Sequence, residues 1–174
     1  MSLIYITGNS GAGKSSVRNE LQKRGYEAHD TDEGGITSWR HKVTDEAVIR
    51  PTDTKDRTKE WYEEHDWKMS RPKVQELASK AKNKTIFLCG STSNAGEMLD
   101  LFGKIIFLEI NKDTLRTRLI NRTDNDFGKA PDELDNILGW HKSFEDEYRL
   151  YGATMVDAAR PLSVVVDNIV EAIR

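Results

Sequence analysis

One stretch near the start, Leu3 to Ser16 (LIYITGNSGAGKSS), constrains this chain more than any other. A short apolar run ends at Thr7, and GNSGAGKS follows directly. The segment fits G-x-x-x-x-G-K-[ST], with Gly8, Gly13, Lys14 and Ser15 in the fixed places. Glycines at Gly8, Gly11 and Gly13 let the backbone turn tightly, so that successive N–H groups point inward at a polyphosphate. In that arrangement Lys14 reaches the β- and γ-phosphates, and the Ser15 hydroxyl ligates Mg²⁺. The helix that starts here adds its N-terminal dipole to the site. Val17 and Leu21 lie one turn apart on that helix and Gly25 is a natural stop. A match by chance is expected on the order of once per hundred chains of this length, and the strand before and helix after lower that further. Nucleotide binding is the expectation.

The remaining composition bounds the class. A chain of 174 residues suggests one domain with a proper core. A net charge of −3 with 32% charged residues gives no basic footprint for nucleic acid and no membrane-surface signature. No apolar run approaches membrane-spanning length, and the first residues read as a strand, not a secretory leader. The single cysteine, Cys89, cannot form an internal disulfide, which fits a reducing, cytoplasmic setting.

Along the chain, Tyr26 to Asp30 (YEAHD) reads as a second short strand, ending in Asp30-Thr31-Asp32-Glu33 and then Gly34-Gly35. Carboxylates at the carboxyl end of a strand lie where open α/β sheets bind ligands. In an extended segment residues two apart share a face, which would turn Asp30 and Asp32 into one site. One would hold a water of the Mg²⁺ shell and the other accept a proton from an attacking hydroxyl. The bland alternative is an Asx-turn with solvated carboxylates.

Ile36 to Met69 is polar and carries Trp39, Trp61, Tyr62 and Trp67 beside Arg40, His41, Arg50, Arg57 and His65. Little core is expected of it. Each aromatic alone is expected to pack, and together they mark where a second substrate binds. Ser70 and Pro72 then open a helix with Val74, Leu77, Ala78 and Ala81 at helical spacing. Thr85–Cys89 (TIFLC) and Lys104–Ile110 (KIIFLEI) are continuous apolar runs, as buried parallel strands require. Between them Asn94 would cap a short helix ending at Gly103. Asn111 or Asp113 opens a helix with Leu115 and Leu119 inward. Arg118 and Arg122, four apart on another face, repel unless an anion, whether triphosphate or carboxylate, lies between them. A polar loop (Thr123 to Ala130) precedes Pro131 and a helix whose apolar face includes His141, read as a satisfied core histidine. Ala153 to Asp157 is a fifth strand, and Pro161 starts a last helix with Leu162, Val165, Ile169 and Ile173 inward. Strand and helix alternate throughout. The expected fold is α/β, three layers with a five-stranded parallel sheet.

Two look-alikes of a GTPase switch fail on context. Asp100-Leu-Phe-Gly103 ends a helix where D-x-x-G should follow a strand, and Asn111-Lys112-Asp113-Thr114 has Thr where N-K-x-D needs Asp. TIFLC ends in Cys89-Gly90 without the carboxylate that a large motor or AAA-type ATPase carries there, so Asp30 and Asp32 are left to supply the metal side.

The succession of G-x-x-G-x-G-K-S, D-x-D after strand two, an arginine-bearing helix before a short loop, and V-D-x-x-x-P-L near the end resembles the small P-loop kinases. The layout is most similar to shikimate and gluconate kinases, with nucleoside and nucleotide kinases as wider relatives. The resemblance covers essentially the whole chain. It implies that Gly8, Asn9, Ser10, Gly11, Ala12, Gly13, Lys14, Ser15 and Ser16 match the ATP phosphate site, and that Asp30 and Asp32 match the metal and acceptor-hydroxyl carboxylates. It also implies that Arg118 and Arg122 match lid arginines in a lid at about 122–131, and that Asp157 to Pro161, including Arg160, match the loop beside adenine. An acceptor-binding insertion would then span about 33–70. The chain departs from each relative after strand three. GSTSN (Gly90 to Asn94) has neither the triple glycine of shikimate kinases, nor the basic segment of gluconate kinases, nor the Asp-Gly and arginine of nucleotide kinases.

The expectation is therefore an ATP- and Mg²⁺-dependent kinase of a small-molecule acceptor such as a sugar acid, acting as a monomer or homodimer. A nucleoside or nucleoside monophosphate kinase is the alternative enzyme. An ATP-binding switch with little catalysis is the alternative from another class.

Overall fold

The computed structural model describes residues 1–121, 123 and 131–174. In chain order these form β1 (Leu3–Gly8), α1 (Lys14–Lys23), β2 (Glu27–Asp30), β3 (Thr37–His41), β4 (Ala47–Val48), α2 (Lys59–Glu64) and β5 (His65–Met69). There follow α3 (Arg71–Lys80), β6 (Ile86–Cys89), β7 (Lys104–Glu109), α4 (Lys112–Asn121), α5 (Pro131–Leu150), β8 (Thr154–Asp157) and α6 (Leu162–Ala172). A 3₁₀ segment, Ala95–Leu101, lies between β6 and β7.

Five strands form an all-parallel sheet in the order β2-β6-β1-β7-β8. Its apolar runs are continuous because both faces are covered. Along β1, Ile4 and Ile6 point into a core closed by α1, α4 and α6 through Val17, Leu115, Leu119 and Val165. Leu3 and Tyr5 point the other way, into a core closed by α3, the 3₁₀ segment and the C-terminal half of α5 through Val74, Met98 and Tyr148. The three-layer expectation holds. Helix α1 ends as expected: Gly25 takes φ 86°, Gly25 N donates to Gln22 O and Tyr26 N to Leu21 O, a Schellman closure that only a left-handed residue makes cheaply.

The polar segment after Asp32 differs from expectation. It builds a second sheet, antiparallel, in the order β4-β3-β5. Its two long strands pair Trp39 directly with Trp67 and His41 with His65. Periodicity hides these strands because each carries few aliphatics; what holds them is aromatic. Trp39 lies 4.9 Å from Trp61, 5.8 Å from Tyr62 and 5.3 Å from Trp67 between ring centroids. At about 0.5–1.5 kcal/mol per pair these contacts substitute for a core the segment lacks. Ile36, Thr37 and Met69, where this sheet meets the main body, are buried.

Three local expectations are corrected. Asn94 does not cap the following segment with its side chain. Instead its buried amide bridges to β5, Met69 N donating to Asn94 Oδ1 at 2.8 Å and Asn94 Nδ2 donating to Met69 O at 3.0 Å. Ser70 precedes α3 without a side-chain cap bond. Leu162 is 39% exposed, because α6 starts at the cavity mouth with Val165, Val166 and Ile169 facing inward. Arg122 and, apart from Thr123, the expected lid loop through Ala130 lie outside the described residues.

Asn94 is thus the clasp between the two sheets. Asn94→Ala leaves a buried N–H and a buried C=O unpaired and should cost about 2–3 kcal/mol in urea unfolding; a loss under about 0.5 kcal/mol would show that the clasp carries no weight.

Candidate active site

The parallel sheet brings the carboxyl ends of β1, β2 and β6 to one edge, and each delivers one part of the site. At the end of β1, Gly8 (φ 148°), Gly11 (φ 92°) and Gly13 (φ 100°) adopt backbone conformations that side chains rarely take. A Cβ on Gly8 would also lie 2.8 Å from Leu108 O of β7. The loop therefore coils in place, with Ala12 N donating to Asn9 O at 3.0 Å and Gly13 leading into α1. Lys14 Nζ donates to Gly8 O at 2.8 Å and to Asn9 O at 3.0 Å, arching its ammonium over the loop. Ser15 and Ser16 are exposed at the first turn of α1. Ser10, Gly11, Ala12, Gly13, Lys14, Ser15 and Ser16 all line a cavity of about 980 Å³. Gly8 and Asn9 stand behind it, as the carbonyls that hold Lys14.

At the end of β2, Asp30 and Asp32 line the same cavity. They reach it by a route different from the expected extended alternation. Asp32 N donates to Asp30 Oδ1 at 3.1 Å, so the segment makes an Asx-turn, and this turn aims both carboxylates inward. The Asx-turn expected as the alternative is therefore present, and it leaves both carboxylates at the cavity wall. Their environments differ. Arg18 Nη1 holds Asp30 Oδ2 at 3.1 Å and Glu33 Oε1 at 2.6 Å. Asp32 is exposed, with Oδ1 accepting from Trp67 Nε1 at 3.2 Å and from Thr31 Oγ1 at 3.2 Å. Burial pushes the Asp30 carboxyl above its usual range, opposed by the Asp32 N–H bond.

The end of β6 is the third part. Thr31 N donates to Cys89 O, and Gly90 N donates to Ile6 O at 3.0 Å. A Cβ on Gly90 would sit 1.8 Å from Thr31 Oγ1, so only glycine lets the Asp30–Asp32 turn pack on this strand. Ser91 Oγ donates to Gly8 O at 2.7 Å, linking the loops after β6 and β1. Cys89 lines the cavity, yet burial pushes its thiol up to about 12, which keeps it from acting as a nucleophile.

Across the cavity, Arg118 Nη2 donates to Ala158 O at 2.9 Å and Nη1 to Ala12 O at 3.4 Å, joining the phosphate loop to the loop after β8. Among the described residues it has no carboxylate partner. Arg160 and Ala158 line the cavity; Asp157 is exposed, turning its loop by accepting from Ala159 N at 2.9 Å, and Pro161 precedes α6. His141 stands apart from the cavity, its hydrogen bond satisfied as expected by Nε2 donating to Ile110 O at 2.6 Å, although the ring is half-buried and not in the core.

Sequence reasoning singled out no individual residue for the remaining wall. Trp39, Arg50 and Trp67 line the cavity from the second sheet. The signal available was the pair T-S-W-R-H and H-D-W-K-M, each with tryptophan at its centre. Arg18 was also missed, though it lies four residues after Lys14 and so on the same helix face.

The donors fit Mg²⁺. No group of three or more His, Cys, Asp or Glu able to hold a metal occurs among the described residues. A cation here would rest on Ser15, one carboxylate, waters and phosphate oxygens, which is how Mg²⁺ is bound and not how a structural metal is caged.

A family model described as AAA domain matches residues 4–139. No curated protein matches the chain. Among solved structures, shikimate kinase from Acinetobacter baumannii in complex with shikimate aligns with TM-score 0.62 at 16% identity, over 99% of this chain and 93% of that one. Deoxyadenosine kinase from M. mycoides with bound dATP aligns with TM-score 0.56 at 17% identity, over 98% of each chain. A gluconokinase from Sinorhizobium meliloti 1021 gives 0.52 at 18%, over 95% of this chain and 87% of that one. The fold is that of the small P-loop kinases.

Because the folded state raises the Asp30 pKa, the stability this group supplies is fully present below the ordinary carboxylate range and is lost as pH rises through the raised value. Urea unfolding from about pH 3 to about pH 7 should show wild type losing stability relative to Asp30→Asn as pH rises; a constant difference would contradict the assignment.

Proposed function

Since the chain belongs to the AAA-domain family over residues 4–139, we propose that it is an ATP- and Mg²⁺-dependent kinase that moves the γ-phosphoryl group to a hydroxyl of a small-molecule acceptor. The observation that carries this reading is the shared cavity: the phosphate loop and the Asp30/Asp32 pair face one space with room for two ligands. A nucleotide-dependent switch needs only the phosphate-loop side of that cavity, so the carboxylates on its other side favour the kinase reading.

Phosphoryl transfer is mainly positioning and charge neutralisation, so the roles divide by place. The loop amides and the α1 dipole seat the triphosphate, and Lys14 exchanges its loop carbonyls for the β- and γ-oxygens. Ser15 and Asp30, the latter fixed by Arg18, would hold Mg²⁺, which would supply charge neutralisation at the transferring phosphate. Asp32, on the side of the second sheet, orients the acceptor hydroxyl and takes its proton. Arg118 and Arg160 flank the nucleotide, with Arg122 assigned to the same arginine set by family likeness. The sheet at 37–69 lies within the expected acceptor insertion, and 122–131 is assigned as the lid that excludes water. Within the described residues no helix is long and apolar enough to cross a membrane. A cytoplasmic small-molecule enzyme is the setting this reading implies.

The test is ADP release in the presence of sugar acids, polyols, nucleosides and nucleoside monophosphates. Lys14→Ala should lower acceptor-stimulated turnover at least a hundredfold, on the order of what a lost transition-state donor costs, with unfolding unchanged. Asp32→Asn should keep Mg·nucleotide affinity within about threefold while transfer falls about 10²–10⁴-fold. Transfer that survives Asp32→Asn removes the base assignment, and the absence of acceptor-stimulated turnover across the panel removes the kinase reading.

A further inference from the structure

We infer that the hydroxyls of Tyr5, Thr7, Thr92 and Tyr148 enclose a buried water site beneath the phosphate loop. On the kinase reading above, Thr7 and Thr92 act through that water as positioning residues for the bound nucleotide.

The cluster lies on the face of the parallel sheet opposite α1. Leu3, Tyr5 and Thr7 alternate with Ile4 and Ile6 along β1, so Tyr5 and Thr7 turn away from the core that α1 closes. Thr92 comes from the loop after β6, and Tyr148 from the last turn of α5. All four are buried: Tyr5 and Thr7 are 0% exposed, Tyr148 1% and Thr92 7%. The side chains of Thr7, Thr92 and Tyr148 adjoin the Tyr5 phenol. Even so, among the described residues Tyr5 Oη, Thr7 Oγ1 and Thr92 Oγ1 have no hydrogen-bond partner. Buried hydroxyls of a folded chain pair with protein or with ordered water, and three unpaired in one place call for the second.

Rotation of the rings does not supply the partners. Tyr5 is stacked on Phe102 at 4.8 Å, and Tyr148 is packed among Phe107, Phe144 and Tyr151 at 5.3, 4.9 and 5.5 Å between ring centroids. These contacts fix where both phenol oxygens stand. The occupant follows from the chemistry of the groups around it. Burial pushes both phenols above their usual range, so all four hydroxyls stay neutral. The carboxylate next to Tyr148 in sequence, Glu147, is engaged by Tyr151 Oη at 2.6 Å. Each hydroxyl can donate one hydrogen bond and accept others. Water does both and matches such a set, whereas an ion of either sign would find no opposite charge.

Its place gives the site a consequence. Thr7 immediately precedes Gly8, whose carbonyl accepts from Lys14 Nζ at 2.8 Å and from Ser91 Oγ at 2.7 Å. Ser91 in turn immediately precedes Thr92. When Lys14 turns to the phosphates, the Ser91 bond remains on Gly8 O. A water bridging Thr7 to Thr92 ties the same two stretches of chain from below, so the start of the phosphate loop is held at two points.

The test is a crystal structure of the full chain at a resolution that shows ordered water, with calorimetry of Mg²⁺ and a non-hydrolysable ATP analogue. A water about 2.7–3.2 Å from at least three of the four oxygens is expected. Thr7→Val and Thr92→Val keep the shape and remove the hydroxyl; each should weaken analogue binding about fivefold. Thr7→Ser and Thr92→Ser should stay within about twofold of wild type. The double Val variant should be no more than about twofold weaker than the worse single one, because both losses pass through one water. A cluster that serves only stability would lower the urea midpoint of the Val variants and leave their analogue affinity at the wild-type value. That result, hydroxyls paired directly with no water between them, density coordinated as an ion, or fully multiplicative losses each overturn the proposal. Should a Val variant fail to fold, Tyr5→Phe takes its place, with a loss of at least about threefold expected. If the wild-type chain does not bind the analogue, the kinase reading falls and the positioning role with it, while the density still decides the water site.

Discussion

The parallel register of β1, β2 and β6 is the constraint on which the site depends. Three strands running the same way end at one edge, and the hydrogen bonds Thr31 N to Cys89 O and Gly90 N to Ile6 O carry that alignment one residue past the strands themselves. The phosphate loop, the Asp30–Asp32 turn and the Gly90–Asn94 loop therefore meet without any long connection having to be ordered. Gly90 makes the meeting possible, since its missing side chain is the space that Thr31 fills. An antiparallel sheet would send every second loop to the opposite edge.

On this frame the chemistry is divided by environment. Two carboxylates two residues apart have different neighbours: Asp30 is half-buried and held by Arg18, whereas Asp32 is exposed and accepts an indole N–H from the second sheet. Distinct surroundings suit the two groups to the distinct jobs proposed for them. The Asx-turn is what separates them, because it breaks the extended geometry that would have placed both on one strand face.

Much of this was legible in the sequence, for definite reasons. Three of the five parallel strands, β1, β6 and β7, are short apolar runs, β2 and β8 follow from the strand–helix alternation around them, and the phosphate loop needs glycine where φ is positive. The second sheet was not legible. T-S-W-R-H and H-D-W-K-M alternate weakly, and their stability lies in Trp39, Trp61, Tyr62 and Trp67 touching one another across 28 residues of sequence separation between Trp39 and Trp67. Arg50 was visible only as one of several cations, because its place depends on that sheet. Local spacing places Asn94 at a helix cap, whereas its amide clasps Met69, a long-range pairing that local spacing does not encode. The roles of Arg122 and the lid rest on family likeness alone.

The central claim is that one cavity holds a Mg·triphosphate on the loop amides with an acceptor base opposite its terminal phosphate. A crystal structure with Mg²⁺ and a non-hydrolysable ATP analogue tests it most directly. The account predicts the triphosphate wrapped by residues 10–15, Ser15 on the metal, and the Asp32 carboxylate facing the γ-phosphate across a space bounded by Trp39 and Trp67. A nucleotide bound elsewhere, or Asp30 and Asp32 turned to bulk solvent with the phosphates in place, would contradict it.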